Sequence, residues 1–220
     1  MCGVCAAFEF AFCISLFVGL LLLLMTRRYN REVIPRDGFL LVTMAWVLLA
    51  LAATIPLYVN IEGISFVHAF FEATSGITTT CGTILSGLDR LPLSVNFWRC
   101  FLAWMGGIGI LVMAVAVLPL LGVGGSQIFR AESSGPMKEG RLTPRIADTA
   151  KAFYNIYLAI SVACAVCYHF AGMDWDDAIM HTFTTVSLGG YSSHDAGFAY
   201  WPGRAVDWVC VVFLLIGGIN

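Results

Sequence analysis

Charged residues are scarce in this sequence: Asp, Glu, Lys and Arg make up 12% of the 220 residues, while apolar residues make up 59%. Soluble domains carry about 25% charged and about 45–50% apolar residues, so the composition excludes an ordinary soluble enzyme. A basic surface for nucleic acid is also lacking, because the net charge is −2 and there are only 12 Lys and Arg residues. The composition therefore indicates an integral membrane protein.

Catalytic motifs are lacking as well. The sequence has no HExxH, no GxSxG and no pair of aspartates in a membrane segment, so it does not support an intramembrane enzyme. The cysteines lie mostly in apolar runs, as at Cys13 and Cys210, where cysteine acts as a small apolar residue. Cys164 and Cys167 have the spacing of zinc ligands but lie within an apolar helix, where we expect packing. No cofactor is expected.

Long apolar runs are what the sequence does contain. A helix that crosses a bilayer needs about 20 mostly apolar residues, and four stretches approach this length, at 6–25, 39–58, 97–121 and 153–171. A fifth, at 206–220, is too short to cross as it stands. Two of the intervening loops hold most of the basic residues, namely Arg27, Arg28, Arg31, Arg36, Arg130, Lys138, Arg141, Arg145 and Lys151. Because basic loops stay in the cytoplasm, we predict a multi-pass membrane protein with its N-terminus outside.

Two shorter stretches, 65–85 and 174–193, are too polar to cross the membrane and match each other at a constant offset of 109 residues. Each begins with a candidate helix N-cap, Ser65 or Asp174, and Asp177 stands at capping-box spacing from the latter. Each helical segment is followed by small and polar residues. Non-helical backbone at membrane depth is tolerated where it lines a water-filled path, and its carbonyls can replace the hydration shell of a monovalent cation. The alternative is a pair of extracellular hairpins that bind no ion.

A series of motifs accompanies these stretches, in order along the chain. They are Phe70-Phe71-Glu72, Ser75-Gly76-Ile77-Thr78-Thr79-Thr80, Leu85-Ser86-Gly87-Leu88-Asp89, Phe97-Trp98-Arg99, Trp104-Met105-Gly106-Gly107-Ile108-Gly109-Ile110, Arg130-Ala131-Glu132, Pro144-Arg145-Ile146-Ala147, Leu188-Gly189-Gly190-Tyr191-Ser192 and His194-Asp195-Ala196. With these residues the sequence resembles the Trk/Ktr/HKT superfamily of potassium transporters, and within it the TrkH family. The resemblance implies an all-α membrane fold of helix–pore-loop–helix repeats related to potassium channels. Two of the expected four repeats would be present here.

The resemblance also implies which residues bind the ion. Backbone in one filter stretch per repeat would coordinate potassium, here Thr78, Thr79, Thr80, Cys81 and Gly82 in the first and Ser187, Leu188, Gly189, Gly190 and Tyr191 in the second. The best individual candidates for potassium are Thr79, Thr80, Leu188 and Gly189. The family usually has glycine where this chain has Cys81, and a filter glycine usually supplies a conformation that side chains resist. Either Cys81 adopts a tolerated conformation, or Gly82 takes over the strained angle.

Several other residues near these stretches allow more than one interpretation. Glu72 and His181, at matching positions, either brace the loops by hydrogen bonds or relay protons, and we favour bracing. Arg99 is expected to reach the membrane interface or to pair with Asp89. The glycines from Gly106 to Gly109 favour close helix packing over nucleotide binding. A group of aspartates either caps the second short helix or attracts cations: Asp174, Asp176 and Asp177.

From the resemblance we expect potassium uptake across the cytoplasmic membrane through a carbonyl-lined selectivity filter, as the membrane subunit of a Trk-type system. The alternatives are a KtrB-like sodium-dependent potassium transporter and a non-conducting paralogue. The expected partners are potassium, membrane lipid, a TrkA-like nucleotide-binding regulatory subunit on the cytoplasmic face, and a second copy of the full-length protein.

The expected organisation has four parts. An extra N-terminal helix with a cytoplasmic loop (1–38) precedes the first repeat (39–121), a second cytoplasmic loop (122–151) and a second repeat (152–220) that stops within its last helix. Four such repeats of about 109 residues would make a core of about 440 residues. We therefore expect an N-terminal fragment of a longer transporter, with residues missing beyond Asn220 and room for a helix before Met1.

Overall fold

The computed structural model describes residues 2–27, 35–117 and 142–218. Regular structure in these ranges is helical, as expected. It comprises α1 (Cys2–Thr26), α2 (Pro35–Asn60), α3 (Phe66–Ile77), α4 (Leu93–Val117), α5 (Leu142–Phe170), α6 (Trp175–Val186) and α7 (Arg204–Gly218). Of the basic side chains behind the predicted orientation, those of Arg27 and Lys151 are described. Of Arg36 and Arg145 only the backbone is described, and the others, with the motif at 130–132, lie outside the described residues.

Three helices of the described chain are long and apolar enough to cross a membrane: Ala7–Thr26 in α1, Phe39–Asn60 in α2 and Asp148–Phe170 in α5. They coincide with the first, second and fourth apolar stretches of the sequence. Many large apolar side chains on these helices are exposed, which suits a hydrocarbon environment rather than water. The third apolar stretch forms α4, a helix of 25 residues. The chain is therefore an all-α integral membrane protein.

Two copies of one helical unit follow each other along the chain. In the first unit α2 leads to the short helix α3, a loop and α4; in the second, α5 leads to α6, a loop and α7. The short helices α3 and α6 have 12 residues each, and residues at matching places in the two units lie 109 positions apart, as Gly82 and Tyr191 do. The constant offset of 109 residues predicted for the two short stretches is thus confirmed through α3 and α6.

The predicted helix caps have different outcomes in the two units. At α3 the prediction is confirmed, because the backbone N–H of His68 donates to Oγ of Ser65 at 3.2 Å. At α6 it is wrong. Asp174 stands at the N-cap position, but its side chain makes no capping hydrogen bond. Asp177 instead accepts from Oγ of Ser193 at 2.7 Å, because the loop that follows α6 folds back over the start of the helix and brings a hydroxyl within reach.

Glycines let α4 approach both loops closely. A Cβ on Gly106 would lie 2.7 Å from the carbonyl carbon of Ile77, the last residue of α3. A Cβ on Gly107 would lie 2.7 Å from the hydroxyl of Tyr157 and 3.0 Å from the Cβ of Ser187. Real Cβ atoms hardly ever come so close to other atoms, so these positions require glycine. The prediction of close packing is therefore confirmed at Gly106, while a Cβ on Gly109 would make only an ordinary contact, 3.6 Å from the ring of Trp46.

The buried core follows the division into two units. One cluster joins α2, α3 and α4 through small residues, and a second joins α5, α6 and α7 and includes Cys164, which packs there as predicted. A third, smaller cluster lies between the units and contains Cys100, Met180 and Tyr191, with Cys81 against it. The units are therefore packed together next to the loops that follow α3 and α6.

Candidate ion-binding site

A non-helical stretch follows each of the two short helices. Together the two stretches contain all the residues predicted to coordinate the ion. The first filter stretch is Thr78 to Gly82, after α3, and the second is Ser187 to Tyr191, after α6. The two stretches touch, since a Cβ on Gly189 would lie 2.5 Å from Sγ of Cys81. Both follow directly on a helix C-terminus, which carries a partial negative charge.

The two filter stretches have left-handed backbone at matching positions. Thr79 has a φ of 57° and Leu188 one of 59°, and two residues further along Cys81 has 51° and Gly190 has 117°. Positive φ is uncommon outside glycine and persists where the surrounding structure enforces it. Of the two alternatives considered for this filter stretch, the structure shows the first: Cys81 itself adopts the left-handed conformation. Gly82 does not, because its φ is not positive.

Carbonyl oxygens in both filter stretches are left without internal partners. Within the described part of the chain, no hydrogen bond reaches the carbonyls of the residues at the centre of each stretch: Thr79, Thr80, Cys81, Leu188, Gly189 and Gly190. The residues that carry them are half-buried or exposed, so these oxygens are available to an external ligand. A monovalent cation is a ligand that suits backbone carbonyls.

The carbonyl of Gly82 differs, because it accepts a hydrogen bond from within the protein. Oγ of Ser75 donates to this oxygen at 2.7 Å. The hydroxyl oxygen of Tyr191 lies 3.5 Å from it. Gly82 therefore fixes the shape of the first filter stretch.

A buried ion pair braces the first loop. The guanidinium of Arg99 lies 2.7 Å from Oε1 of Glu72, and both side chains are fully buried. The hydroxyl of Thr83 donates to the same carboxylate oxygen at 2.8 Å and accepts from Arg99 at 2.9 Å. Asn96 accepts a further hydrogen bond from Arg99 at 3.2 Å. Buried charges are tolerated when they are paired and hydrogen-bonded in this way.

The position of Arg99 corrects the prediction from the sequence. Arg99 is only 1% exposed, so it does not reach the membrane interface. Asp89 is not its partner either, since Arg99 pairs with Glu72. The physical reason is that α4 packs against α3, which presents a buried carboxylate directly to Arg99.

His181 braces the second loop at the place that matches Glu72. Its Nε2 lies 3.1 Å from Oγ of Ser192, and its Nδ1 lies 2.9 Å from the carbonyl of Asp177. A carbonyl can only accept, so Nδ1 carries the proton and Nε2 accepts from the serine hydroxyl. His181–Ser192 and Glu72–Thr83 both span 11 residues. The bracing contacts predicted for Glu72 and His181 are therefore present in both repeats.

Beyond the filter stretches, His194 connects the loops of the two repeats. We call this group, made of Asp89, Asp177 and His194, the histidine bridge. Nδ1 of His194 contacts a carboxylate oxygen of Asp89, and Nε2 lies 3.2 Å from one of Asp177. An imidazole that donates from both nitrogens must be protonated. Next to it, Asp195 accepts from the N–H of Gly87 at 2.9 Å, a second link between the loops.

The electrostatics of the histidine bridge agree with this geometry. Burial lowers the pKa of His194, but its hydrogen bonds to Asp89 and Asp177 outweigh that effect, so that its pKa is raised. The hydrogen bond from His194 in turn lowers the pKa of Asp89. The ring of His194 also stacks on Tyr200, with centroids 3.6 Å apart. The bridge is therefore a charged link that holds the two loops at a fixed separation.

Sequence reasoning missed the residues that act between the loops. Asn96 donates to the carbonyls of Leu88 and Ser193 at 2.9 and 3.3 Å, and its only signal was its polarity near the start of an apolar helix. The contacts of Tyr191 and His194 reach the other repeat, more than 100 positions away along the chain. No local sequence pattern predicts contacts over such a distance along the chain.

Comparison with known proteins gives consistent results. Residues 5–220 match the family TrkH, described as cation transport protein. The Trk system potassium uptake protein TrkH of Vibrio parahaemolyticus is 47% identical over 219 residues, which is 99% of this chain and 45% of that protein. The Trk system potassium uptake protein TrkG of Escherichia coli is 40% identical over 196 residues, 89% of this chain and 40% of that protein.

A solved structure agrees as well. The crystal structure of the potassium transporter TrkH from Vibrio parahaemolyticus matches with a TM-score of 0.85 and 43% sequence identity, over 99% of this chain and 43% of that one. The chain thus spans less than half the length of the relatives that it matches.

Proposed function

The chain belongs to the TrkH family of cation transport proteins, and on this premise we propose that it supplies two of the pore loops of a potassium uptake protein. The observation that carries the proposal is the matched left-handed backbone at Thr79 and Leu188 and at Cys81 and Gly190. Two segments of different sequence adopt the same unusual conformation at the same point of a repeat. A shared ligand explains this agreement, and the relatives carry potassium in their names.

The conformation suits cation binding. Alternating left-handed and right-handed residues gather successive peptide N–H groups on one side of a chain. In a planar trans peptide the carbonyl points opposite to the N–H, so the carbonyls gather on the other side. The partially negative C-termini of α3 and α6 add to the attraction for a cation at this place. Selectivity would come from the carbonyls, with no covalent chemistry.

We assign the potassium ligands to the filter stretches Thr78–Gly82 and Ser187–Tyr191. Within them the unpaired carbonyls of Thr79, Thr80, Leu188 and Gly189 are the strongest candidates. Gly82 takes a supporting part in this proposal, because Ser75 already donates to its carbonyl.

The surroundings of this pore follow from the family and the sequence. We propose an inner-membrane protein with the N-terminus of the chain outside, built as an extra helix and loop (1–38), two repeats (39–121 and 152–220) and a cytoplasmic loop (122–151) between them. The proposed partners are a TrkA-like regulatory subunit on the cytoplasmic face and a second copy of the full-length protein. Co-purification of the complete protein with such a subunit tests the first partner, and its mass in detergent tests the second.

The test of transport uses the complete gene in a host that lacks its own potassium uptake systems. Growth at low potassium and rubidium uptake should both rise well above those of the empty vector. Uptake that equals the empty vector, with the protein present in the membrane, would refute potassium transport and favour a non-conducting paralogue. Uptake that depends on external sodium would favour the KtrB-like alternative.

A pair of glycine variants links uptake to the filter. A Cβ on Gly190 or on Gly63 would meet no atom within 4 Å, and both residues have positive φ, at 117° and 75°. Alanine at either position therefore changes only the backbone preference, and the cost is larger at 117° because that region is nearly restricted to glycine. Gly190→Ala should abolish most rubidium uptake, whereas Gly63→Ala, outside the filter stretches, should retain it.

A further inference from the structure

The hydroxyl of Tyr191 crosses from the second repeat to the first. Its one proton is donated to the carbonyl of Glu72 at 3.0 Å, and the carbonyl oxygen of Gly82 lies 3.5 Å from the same hydroxyl. Tyr191 is only 3% exposed, so water does not compete effectively for the hydrogen bond. One side chain of the second filter stretch thus holds α3 and also contacts the end of the first filter stretch.

The surroundings of the Tyr191 ring are built to hold it in place. The guanidinium of Arg99 lies over the ring face, 4.4 Å from its centroid, a favourable cation–π arrangement. On another side the ring packs against Gly76, where a Cβ would lie 3.4 Å from a ring carbon. Arg99 is itself fixed by Glu72, Thr83 and Asn96. The ring is therefore locked to the network that braces the first loop.

We propose that Tyr191 is a positioning residue that sets the spacing between the two filter stretches and thereby the discrimination of potassium from sodium. The inference rests on the proposed function, since it concerns the selectivity of the same filter. Carbonyls held at a fixed spacing replace the hydration shell of an ion of one size. When a filter stretch is free to shift, its carbonyls can close around the smaller sodium ion, and discrimination falls.

The asymmetry of the repeat supports this role. Tyr191 occupies the position that matches Gly82, and the contact between them joins equivalent residues of the two repeats. Glycine has no side chain with which to return the contact, so the spacing between these two stretches depends on the tyrosine. In contrast, the braces at Glu72 and His181 each act within one repeat.

The test compares Tyr191→Phe with Tyr157→Phe in the complete protein. Phenylalanine keeps the ring under Arg99 and removes only the hydroxyl. Tyr157 is a matched control, because it is also buried and its hydroxyl also donates to a backbone carbonyl, that of Trp104 at 3.0 Å, but it does not reach the first loop. The ratio of rubidium to sodium uptake is measured per amount of protein in the membrane.

Tyr191→Phe should lower the ratio about fivefold, the factor expected for one ordinary hydrogen bond, while Tyr157→Phe keeps the ratio of the parent protein. An unchanged ratio in Tyr191→Phe, or an equal fall in both variants, would overturn the assignment.

A second measurement does not depend on transport. Hydrogen exchange of the amides from Gly82 to Leu85 should be faster in Tyr191→Phe than in Tyr157→Phe. If the parent protein itself carries neither ion, the proposed function and the selectivity role both fail. The exchange result then still decides whether Tyr191 holds the first loop, because unchanged exchange would refute that contact on its own.

Discussion

Cys81 and Gly190 stand at matching positions of the two repeats and both have positive φ, at 51° and 117°. A side chain in left-handed backbone costs about 1–2 kcal/mol, so the structure around Cys81 must hold it there. That structure is the small cluster of Cys100, Met180 and Tyr191 between the repeats. The first filter stretch therefore accepts cysteine at this position, because the packing between the repeats enforces the backbone shape.

The first prediction concerns Cys81→Gly, which should preserve or improve potassium uptake. Glycine adopts positive φ freely, so the change relieves strain of about 1 kcal/mol. The loss of sulfur packing against Cys100 and Tyr191 offsets part of this gain. Initial rates of rubidium uptake by the complete protein, per amount in the membrane, give the comparison. Uptake abolished at normal expression would show that the thiol is required.

Cys81→Val provides the opposite change at the same position. A β-branched residue is strongly disfavoured at positive φ, so we expect lower thermal stability and reduced rubidium uptake. Cys81→Ser, which keeps the size of the side chain, should lie between the valine and glycine variants. This order would fail if the side chain mattered more than the backbone. In that case the serine variant would be most similar to the parent protein in stability and uptake, and the glycine variant least similar.

The sequence predicted the parts of this fold that depend on local pattern. Apolar length located α1, α2 and α5, and the offset of 109 residues located α3 and α6, because helix formation and membrane burial are properties of contiguous residues. The Ser65 cap and the two hydrogen bonds Glu72–Thr83 and His181–Ser192 span at most 11 residues. Such contacts can be predicted from the spacing of residues along one helix and the loop that follows it.

Contacts between distant segments could not be predicted. Arg99 has an acidic partner on α3 rather than in the loop, and this depends on how α4 crosses α3. Asp177 turns from its own helix to Ser193 and His194 because the second loop folds back onto it. Tyr191 reaches Gly82 only once both repeats are packed together. In each case several polar partners would be acceptable, and tertiary packing decides which of them the side chain contacts.

The second prediction concerns the buried ion pair. Glu72→Gln leaves Arg99 charged and buried without its counter-charge, which typically costs about 3–5 kcal/mol. We expect a marked fall in the melting temperature of the purified protein and a reduced amount in the membrane. Glu62→Gln is the matched control, because Glu62 is exposed, and it should leave both quantities unchanged. Equal stability of the two variants would mean that Glu72 and Arg99 do not depend on each other.

The third prediction concerns the close approach of α4 to α3. Gly106→Ala should destabilise the protein by more than the ordinary overpacking cost of about 1–3 kcal/mol, because the new Cβ would overlap the backbone of Ile77, which cannot rotate away as a side chain can. Gly19→Ala in α1 is the control, since its Cβ would meet nothing within 4 Å. In a helix that change should be neutral or slightly stabilising. Thermal unfolding of both variants in detergent gives the comparison, and a fully stable Gly106→Ala protein would contradict the packing.

The fourth prediction is a pH dependence of the histidine bridge. The pKa of His194 is raised above its ordinary value of 6.5, so its stabilising contribution is complete below that value and is lost as pH rises through the raised pKa. The pKa of Asp89 is lowered from 3.8, so its contribution is present above 3.8 and is lost as pH falls through the lowered pKa. The bridge should therefore be strongest between these two ordinary values.

His194→Gln tests this dependence, because glutamine keeps polar contacts to the two aspartates without a charge that changes with pH. The difference in melting temperature between the parent protein and His194→Gln should be largest near pH 6 and shrink toward pH 9, as the imidazole loses its proton and can donate to only one of Asp89 and Asp177. Asp195 and the neighbouring His181 also face the bridge, but they remain in both proteins and cancel in the difference. His68→Gln, on an exposed position of α3, should show no such trend. A difference that stays constant from pH 6 to pH 9 would mean that His194 is not charged in the folded protein, and that the other contacts between the loops, those of Asn96, Asp195 and Tyr191, carry the link.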